Sequence, residues 1–144
     1  MSNENVTRIK RETADRLLKE AVVRIGEVNA DDQYALVVSR AVVFGSYVNN
    51  PEYETFGDVD IGLQFSPRYS DPVKHKIKLE ARRAMCTKGD WLYQLCWPQE
   101  EMCIRIMNRN PYIALCLMGS QDEAIFSKKI MELPLDGDTS KLNL

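Results

Sequence analysis

Two carboxylates stand two residues apart in the stretch "DVDIGLQF", at Asp58 and Asp60. Polar and apolar residues alternate along this stretch, which predicts a half-buried strand with both carboxylates on the same face. The Cβ atoms of the two aspartates would lie about 7 Å apart, so both side chains can reach one cation or a close pair of cations. Oxygen ligands without a neighbouring Cys/His cluster favour Mg²⁺ or Mn²⁺. The pair is therefore a candidate metal site.

A Gly-Ser pair, Gly45-Ser46, ends the apolar, β-branched run "RAVVF". Such a run is typical of a strand buried on both faces. Glycine allows a tight turn and a close approach to a ligand, and the backbone N–H groups that follow, with the Ser hydroxyl, can hold phosphate oxygens. A phosphate-binding turn beside a carboxylate pair predicts that the chain binds a metal-bound triphosphate.

Each half of this pattern also has a simpler interpretation. Two aspartates on a strand can merely be solvated on an edge strand, and a Gly-Ser pair after a strand is more often only a turn. The order of the two halves along the chain is a more specific signal of a metal–triphosphate site than either half alone. An apolar strand and Gly-Ser are followed by a loop of about a dozen residues, with Pro51 and Gly57, and then by the alternating strand.

Helices on both sides of this pattern are expected to position it. Apolar residues at spacings of three and four from Val6 to Ile25 predict an amphipathic helix that ends near Gly26. A second helix is predicted to begin with Asp71 as its cap and Pro72 at its first position. Its apolar stripe comprises Val73, Ile77, Ala81, Ala84 and Met85.

The second half of the chain completes the predicted fold. "WLYQLCW" predicts a third strand, Pro98 opens a third helix, and "YIALCLM" predicts a fourth strand. The order α-β-β-α-β-α-β indicates an α/β or α+β fold, a mixed β-sheet with helices packed against it. Residues 1–125 are expected to form this single domain. Residues 126–144 are expected to be a C-terminal extension, with a last helix in "DEAIFSKKIME" and a frayed tail.

The segment "VVFGSYVNNPEYETFGDVDIGL" resembles the signature of the nucleotidyltransferase superfamily that includes DNA polymerase beta, and within it the minimal nucleotidyltransferases. The motif covers Val42 to Leu63, and the order of elements extends a looser resemblance to about residue 97. The resemblance implies the nucleotidyltransferase fold, contacts of Gly45 and Ser46 with the triphosphate of ATP or another nucleotide, and Mg²⁺ (or Mn²⁺) held by Asp58 and Asp60. It also implies two-metal transfer of a nucleotidyl group to an acceptor hydroxyl.

The chain departs from the family pattern at two places. The residues after Gly-Ser, Tyr47–Asn50, replace a small residue, Arg and Gly found in many minimal members, so a basic phosphate contact is lost. The predicted strand "WLYQLCW" lacks the third carboxylate that the family places on a later strand to activate the acceptor hydroxyl. Asp90, just before it, is a candidate for this role or a turn or capping residue, and Gln94 lies inside it. Without that acid the nucleophile has no base.

The alternative function is therefore a catalytically degenerate nucleotidyltransferase-fold module that binds or regulates, for example an antitoxin-like partner protein. Lys74, Lys78 and Arg82 recur at every fourth position and form a basic stripe on the second helix. Lys74 and Lys78 are candidate triphosphate contacts, and the stripe could also receive an RNA acceptor or simply be a solvated face. Trp91, Tyr93 and Trp97 are expected to pack in the core, with base stacking as the alternative.

The composition, 144 residues with 44% hydrophobic and 28% charged residues, is that of one soluble globular domain. A net charge of −2 excludes a globally basic nucleic-acid binder. Four spaced cysteines and a lone His75 do not form a familiar zinc site, so reduced thiols are expected. The polar N-terminus and the lack of a membrane-spanning run predict a cytoplasmic protein with no membrane partner. A partner protein or a homodimer is expected to complete the acceptor side of the site.

Overall fold

The computed structural model describes residues 7–119 and 129–144, and these residues have a mixed α+β architecture. The first half contains β1 (Ile9–Lys10), α1 (Arg11–Ala30), β2 (Leu36–Phe44), α2 (Ser46–Asn49), β3 (Thr55–Phe56) and β4 (Val59–Pro67). The second half contains α3 (Pro72–Ala84), α4 (Trp91–Met107), β5 (Ile113–Leu117), β6 (Met131–Glu132) and a 3₁₀ turn (Thr139–Lys141). The predicted class, helices with a mixed sheet, is confirmed.

The main sheet has four strands in the order β5-β4-β2-β6. β4 pairs antiparallel with β2, which places Phe44 opposite Asp60, and parallel with β5, which places Ala114 beside Asp60. The end of β2 and the starts of β4 and β5 therefore meet at one edge of the sheet, which we call the Gly45 edge. Both halves of the predicted motif lie there.

The hydrophobic core lies between one face of this sheet and the helices α1 and α4. The stripe of α1 that periodicity predicts is buried, with Leu18 and Ile25 fully enclosed. Ile61 and Leu63 of β4 are buried in the same cluster. Because side chains alternate along a strand, Asp60 and Gly62 lie on the opposite face of the sheet.

A second, two-stranded sheet ties the start of α1 to the loop that joins the two halves of the motif. β1 pairs antiparallel with β3, and the helix begins at Arg11, whereas the sequence predicted a helical stripe from Val6. The Arg11 guanidinium donates to the carbonyls of Tyr47 and Asn50 and lies 4.5 Å from the centroid of the Phe56 ring. The segment predicted as a loop thus contains α2 and β3 and is anchored to α1.

The prediction of a third strand at "WLYQLCW" is wrong, because these residues form the first turns of α4. Asp90 caps the helix by accepting a hydrogen bond from the Tyr93 N–H, and the rings of Tyr93 and Trp97, one turn apart, lie 5.9 Å from each other. The helix continues through Pro98, and its second half buries Met102 in the core. Trp91 is exposed, which contradicts the expectation that it packs in the core.

The described C-terminal residues pack against the rest of the protein, whereas the sequence predicted a frayed tail there. Residues 120–128, which hold most of the predicted last helix, lie outside the described residues, and Met131–Glu132 form β6 against Val42 and Val43. Leu133 is buried, and Gly137 packs against Gly26. Among the described residues, no helix combines the length and apolarity needed to cross a membrane.

Candidate functional site

Gly45 adopts a backbone conformation that the turn requires. Its φ of 79° and ψ of −159° fall in a region that is essentially open to glycine alone. A methyl group on Gly45 would lie 2.7 Å from Oδ2 of Asp60, which is closer than a carbon and an oxygen can approach. The turn therefore lies in close contact with a carboxylate of the motif. The predicted close approach of Gly45 to a ligand stays a prediction.

Asp58 and Asp60 flank the first residue of β4, where the Val59 N–H donates to the Tyr112 carbonyl at 2.8 Å. Both side chains are half-buried. Partial burial, followed by the charge of Asp58 and a hydrogen bond with that side chain, raises the pKa of Asp60 from 3.8 to about 6. The two carboxyl groups therefore lie together on one face, as the alternation predicted, and repel each other when both are ionised.

Ser46 follows Gly45 as the first residue of α2 and is half-buried. Asn49, at the end of α2, closes the turn by donating from Nδ2 to the Gly45 carbonyl at 3.0 Å. The same amide donates to the Lys129 carbonyl and accepts from the Lys129 N–H, at 3.0 and 2.9 Å. The side chain of Asn49 thus links the Gly-Ser turn to the C-terminal segment.

Lys129 is a residue of this region that the sequence did not identify. Its main chain is held beside the turn by Asn49, and its side chain is exposed. Its backbone therefore lies beside the Gly-Ser turn. Tyr47–Asn50 lack the basic residue of the family pattern. The only sign in the sequence that Lys129 belongs to this region was the pair of lysines at positions 128 and 129. Asn49, which contacts the Lys129 main chain, is 80 residues away in the sequence.

Lys74 and Lys78 are not brought to the Gly45 edge. Their helix, α3, follows Pro67, which is about 23 Å along β4 from Asp60 by the rise of a strand. Arg82, one turn beyond Lys78, has its guanidinium 5.9 Å from the ring centroid of Tyr34, just before the start of β2. Gly45 follows the other end of that strand, so the basic stripe lies at the opposite end of the sheet.

Asp90 and Gln94 also lie away from the carboxylate pair. Both belong to the N-terminal end of α4, a helix of 17 residues and thus about 25 Å long. The other end of α4 leads through Asn108–Pro111 to Tyr112, which contacts the start of β4. The Asp90 carboxylate caps the helix, which agrees with the capping alternative.

Asp60 is flanked by β2 and β5, and neither strand contains a third carboxylate. β5 pairs Ala114 with Asp60 and Cys116 with Gly62, and its sequence "IALCL" contains no acid. Within residues 7–119 and 129–144, no group of three or more His, Cys, Asp or Glu side chains is arranged to hold a metal ion. In the described part of the chain, the site is therefore a pair of carboxylates.

Variants of Asp90 separate a capping role from a role in metal binding. Asp90→Ala is expected to lower the free energy of unfolding by about 1 kcal/mol, because the Tyr93 N–H loses its acceptor. Asp90→Ser keeps a capping oxygen and should restore wild-type stability. Both variants should bind Mn²⁺ like the wild type in titrations followed by electron paramagnetic resonance. Loss of Mn²⁺ binding in a stably folded Asp90→Ser protein would show instead that Asp90 belongs to the metal site.

The arrangement at the Gly45 edge can hold a divalent cation between two carboxylates and place a phosphate against the adjoining turn. The oxygen atoms of Asp58 and Asp60 suit Mg²⁺ or Mn²⁺. Burial, and after it the charge of Asp58, raises the pKa of Asp60, and a bound cation would favour the ionised carboxylate. Comparisons with protein-family models, with curated proteins and with solved structures find no match to this chain.

Proposed function

We propose that this protein binds a nucleoside triphosphate together with Mg²⁺ at the Gly45 edge, and that its fold is that of the nucleotidyltransferases. One observation carries the proposal: Gly45, in a conformation essentially restricted to glycine, lies against the Asp60 carboxylate. A side chain at position 45 would fill the space between the turn and the carboxylate. Backbone N–H groups of a turn can hold phosphate oxygens, and an adjoining acidic pair can hold the metal that bridges to them.

The residues present fit a divalent cation. Partial burial, followed by the charge of Asp58 beside it, raises the pKa of Asp60 to about 6. Asp58 and Asp60 would hold Mg²⁺, with Gly45 and Ser46 against the phosphates. When bound, the ion neutralises charge on the triphosphate. The chain itself supplies the two carboxylates and the turn.

Nucleotidyl transfer to an acceptor hydroxyl is the activity that the resemblance implies for such a site. A specific observation favours the second candidate, a module that binds the nucleotide without transferring it. The neighbour of Asp60 on β5 is Ala114, so the position beside the pair that could carry a base carries a methyl group. A hydroxyl nucleophile at this site would have no carboxylate from β5 to accept its proton.

Isothermal titration calorimetry with ATP, GTP, CTP and UTP tests nucleotide binding. Heat of binding is expected for at least one nucleotide in MgCl₂ and none in EDTA, because the phosphates would reach Asp58 and Asp60 only through a cation. Asp58→Asn should weaken binding at least about tenfold. Asp32→Asn, which removes the same charge from an exposed turn, is the matched control. A wild-type protein that binds none of the four nucleotides contradicts the proposal.

Pyrophosphate release separates the two candidate functions once binding is established. The protein is incubated with α-labelled nucleotide and, in separate reactions, with bulk RNA, with cell protein and with small hydroxyl-containing metabolites. Label transfer with release of pyrophosphate identifies a nucleotidyltransferase. Metal-dependent binding without release in all three reactions supports the non-catalytic module.

A further inference from the structure

The outer side of α3 carries an apolar stripe that none of the residues described by the structure covers. Val73 and Ile77 are 66% and 64% exposed, Met85 just beyond the helix is exposed as well, and no residue of α3 is buried. Apolar residues four positions apart lie on one side of a helix, so these side chains form a continuous row. The sequence predicts this stripe, and stripes of this kind normally face a core.

Contacts on the inner side of α3 fix the stripe in its outward orientation. Arg82 forms a two-bonded ion pair with Glu101 of α4, with distances of 2.9 and 2.6 Å, and both side chains are largely shielded from solvent. Leu79 packs against the core on the same side. Rotating α3 to bury Ile77 would break this ion pair, so the outward orientation is a stable feature of the fold.

The row continues onto the first turns of α4. Trp91 is 71% exposed, and Leu92 and Leu95 beside it are exposed too. The Arg83 Nε donates to the Leu95 carbonyl, which brings the end of α3 next to this turn. We call Val73, Ile77, Met85, Trp91, Leu92 and Leu95 the α3–α4 apolar surface. A solvent-exposed Trp beside a row of aliphatic side chains is typical of an interaction surface.

The charges around this surface have one dominant sign. Between Pro72 and Lys88 the chain has six Lys or Arg residues and one acid, Glu80, although the whole protein has a net charge of −2. By helical position, Lys74 and Lys78 lie along one side of the row and Lys76 and Arg83 along the other. Glu80 lies on the side of Lys76 and Arg83, so that border is mixed but has a net positive charge, whereas the border with Lys74 and Lys78 has no acid from α3. The surface is thus an apolar row between two borders that are each basic in net charge.

We propose that the α3–α4 apolar surface docks an acidic amphipathic helix of a partner protein. A helix that places apolar residues on the row and Glu or Asp on its flanks would meet the basic borders on both sides. A second copy of this chain fits poorly, because a two-fold interface would set the lysines of one copy against those of the other. RNA fits poorly because the centre of the surface is aliphatic and the cations are at its borders.

Two designed helical peptides test this proposal. Both have about 18 residues and the same leucines at positions i, i+3, i+4 and i+7, and their flanking residues are all Glu in one peptide and all Lys in the other. Fluorescence anisotropy of the labelled peptides is measured with the full-length protein. The Glu peptide is expected to bind at least about tenfold more tightly than the Lys peptide, and its affinity should fall as NaCl is added.

Two variants locate the binding site on the protein. Ile77→Asp should reduce affinity for the Glu peptide at least about tenfold. Val23→Asp, at an exposed apolar residue of α1, should leave affinity unchanged. Equal binding of both peptides, binding of neither, or equal loss in the two variants would overturn the proposal. So would Ile77-dependent sedimentation of the protein with phosphatidylcholine–phosphatidylserine vesicles, because it would identify an anionic membrane as the occupant.

Discussion

Replacing Asp60 with Asn is expected to stabilise the metal-free protein at pH 7.5 while removing its response to Mg²⁺. The folded-state pKa of Asp60 is raised from 3.8 to about 6. Between about pH 4 and pH 6, Asp60 therefore stays protonated in the folded protein but loses its proton in the unfolded chain. The free energy of unfolding falls as the pH rises through this range. At pH 7.5 the wild type is destabilised by the ionised Asp60, which is partly buried and lies beside the charge of Asp58, and the Asn variant is not.

The free energy of unfolding of Asp60→Asn at pH 7.5 is expected to exceed that of the wild type by about 1 kcal/mol, because solvent at this half-exposed site screens part of the interaction. For a chain of this size this difference corresponds to a rise in Tm of about 3 °C. Differential scanning calorimetry from pH 4 to pH 8 should show the two proteins converging near pH 4. A variant that is less stable than the wild type at pH 7.5 would contradict the strained carboxylate pair.

Ligand addition gives the second half of the Asp60 prediction. MgCl₂ with the nucleotide that binds best should raise the Tm of the wild type, because a ligand that binds only the folded state stabilises it. The Tm of Asp60→Asn should not change. Asp32→Asn serves again as the control, and it should follow the wild type in both conditions. A Tm of Asp60→Asn that rises as far as that of the wild type would place the ligand elsewhere.

Gly45→Ala is expected to have a large effect on both stability and binding. The alanine methyl group would meet Asp60 Oδ2 at 2.7 Å, and the backbone conformation at this position is unfavourable for any residue with a Cβ. We expect a loss of about 3 kcal/mol in the free energy of unfolding, measured by urea denaturation. Metal-dependent nucleotide binding should be lost as well, because the turn must move away from the carboxylate.

Gly57→Ala is the matched control for this variant. Gly57 lies directly before Asp58, but a methyl group there would meet no atom within 4 Å, and its φ is not in the left-handed region. The change in stability should stay within about 0.5 kcal/mol, with binding intact. A Gly45→Ala protein that behaves like Gly57→Ala would mean that the turn has no special role.

Local patterns in the sequence were sufficient to predict the part of the sheet that holds the candidate site. Alternation in "DVDIGLQF" placed Asp58 and Asp60 on one face, and the Asp71-Pro72 pair marked the start of α3, where Asp71 accepts from the Val73 N–H. These features depend on neighbours in the chain, so a sequence reveals them. Asp90 is likewise a capping residue that marks the start of a helix. The alternation of the aromatic residues Trp91 and Tyr93 after it indicated a strand instead, and this led to the wrong prediction.

Contacts between distant parts of the chain could not be predicted in this way. β6 has only two residues and exists because β2 offers Val42 and Val43 for pairing. Lys129 reaches the Gly45 edge through Asn49, a contact over 80 residues. The apolar row of α3 was visible in the sequence, but nothing in its periodicity states whether it faces the core or solvent. The row faces solvent because the ion pair of Arg82 with Glu101 fixes the orientation of α3.

The anchoring of residues 47–56 to α1 has a consequence for the energetics of binding. Arg11 holds the carbonyls of Tyr47 and Asn50, and β3 pairs with β1, so the loop between the Gly-Ser turn and Asp58 is already ordered in the folded protein. Ordering a flexible loop costs about 1–2 kcal/mol per residue in lost backbone entropy. Here that entropy is lost on folding. A ligand at the Gly45 edge therefore meets a preorganised site, and its affinity is not reduced by the need to immobilise the chain.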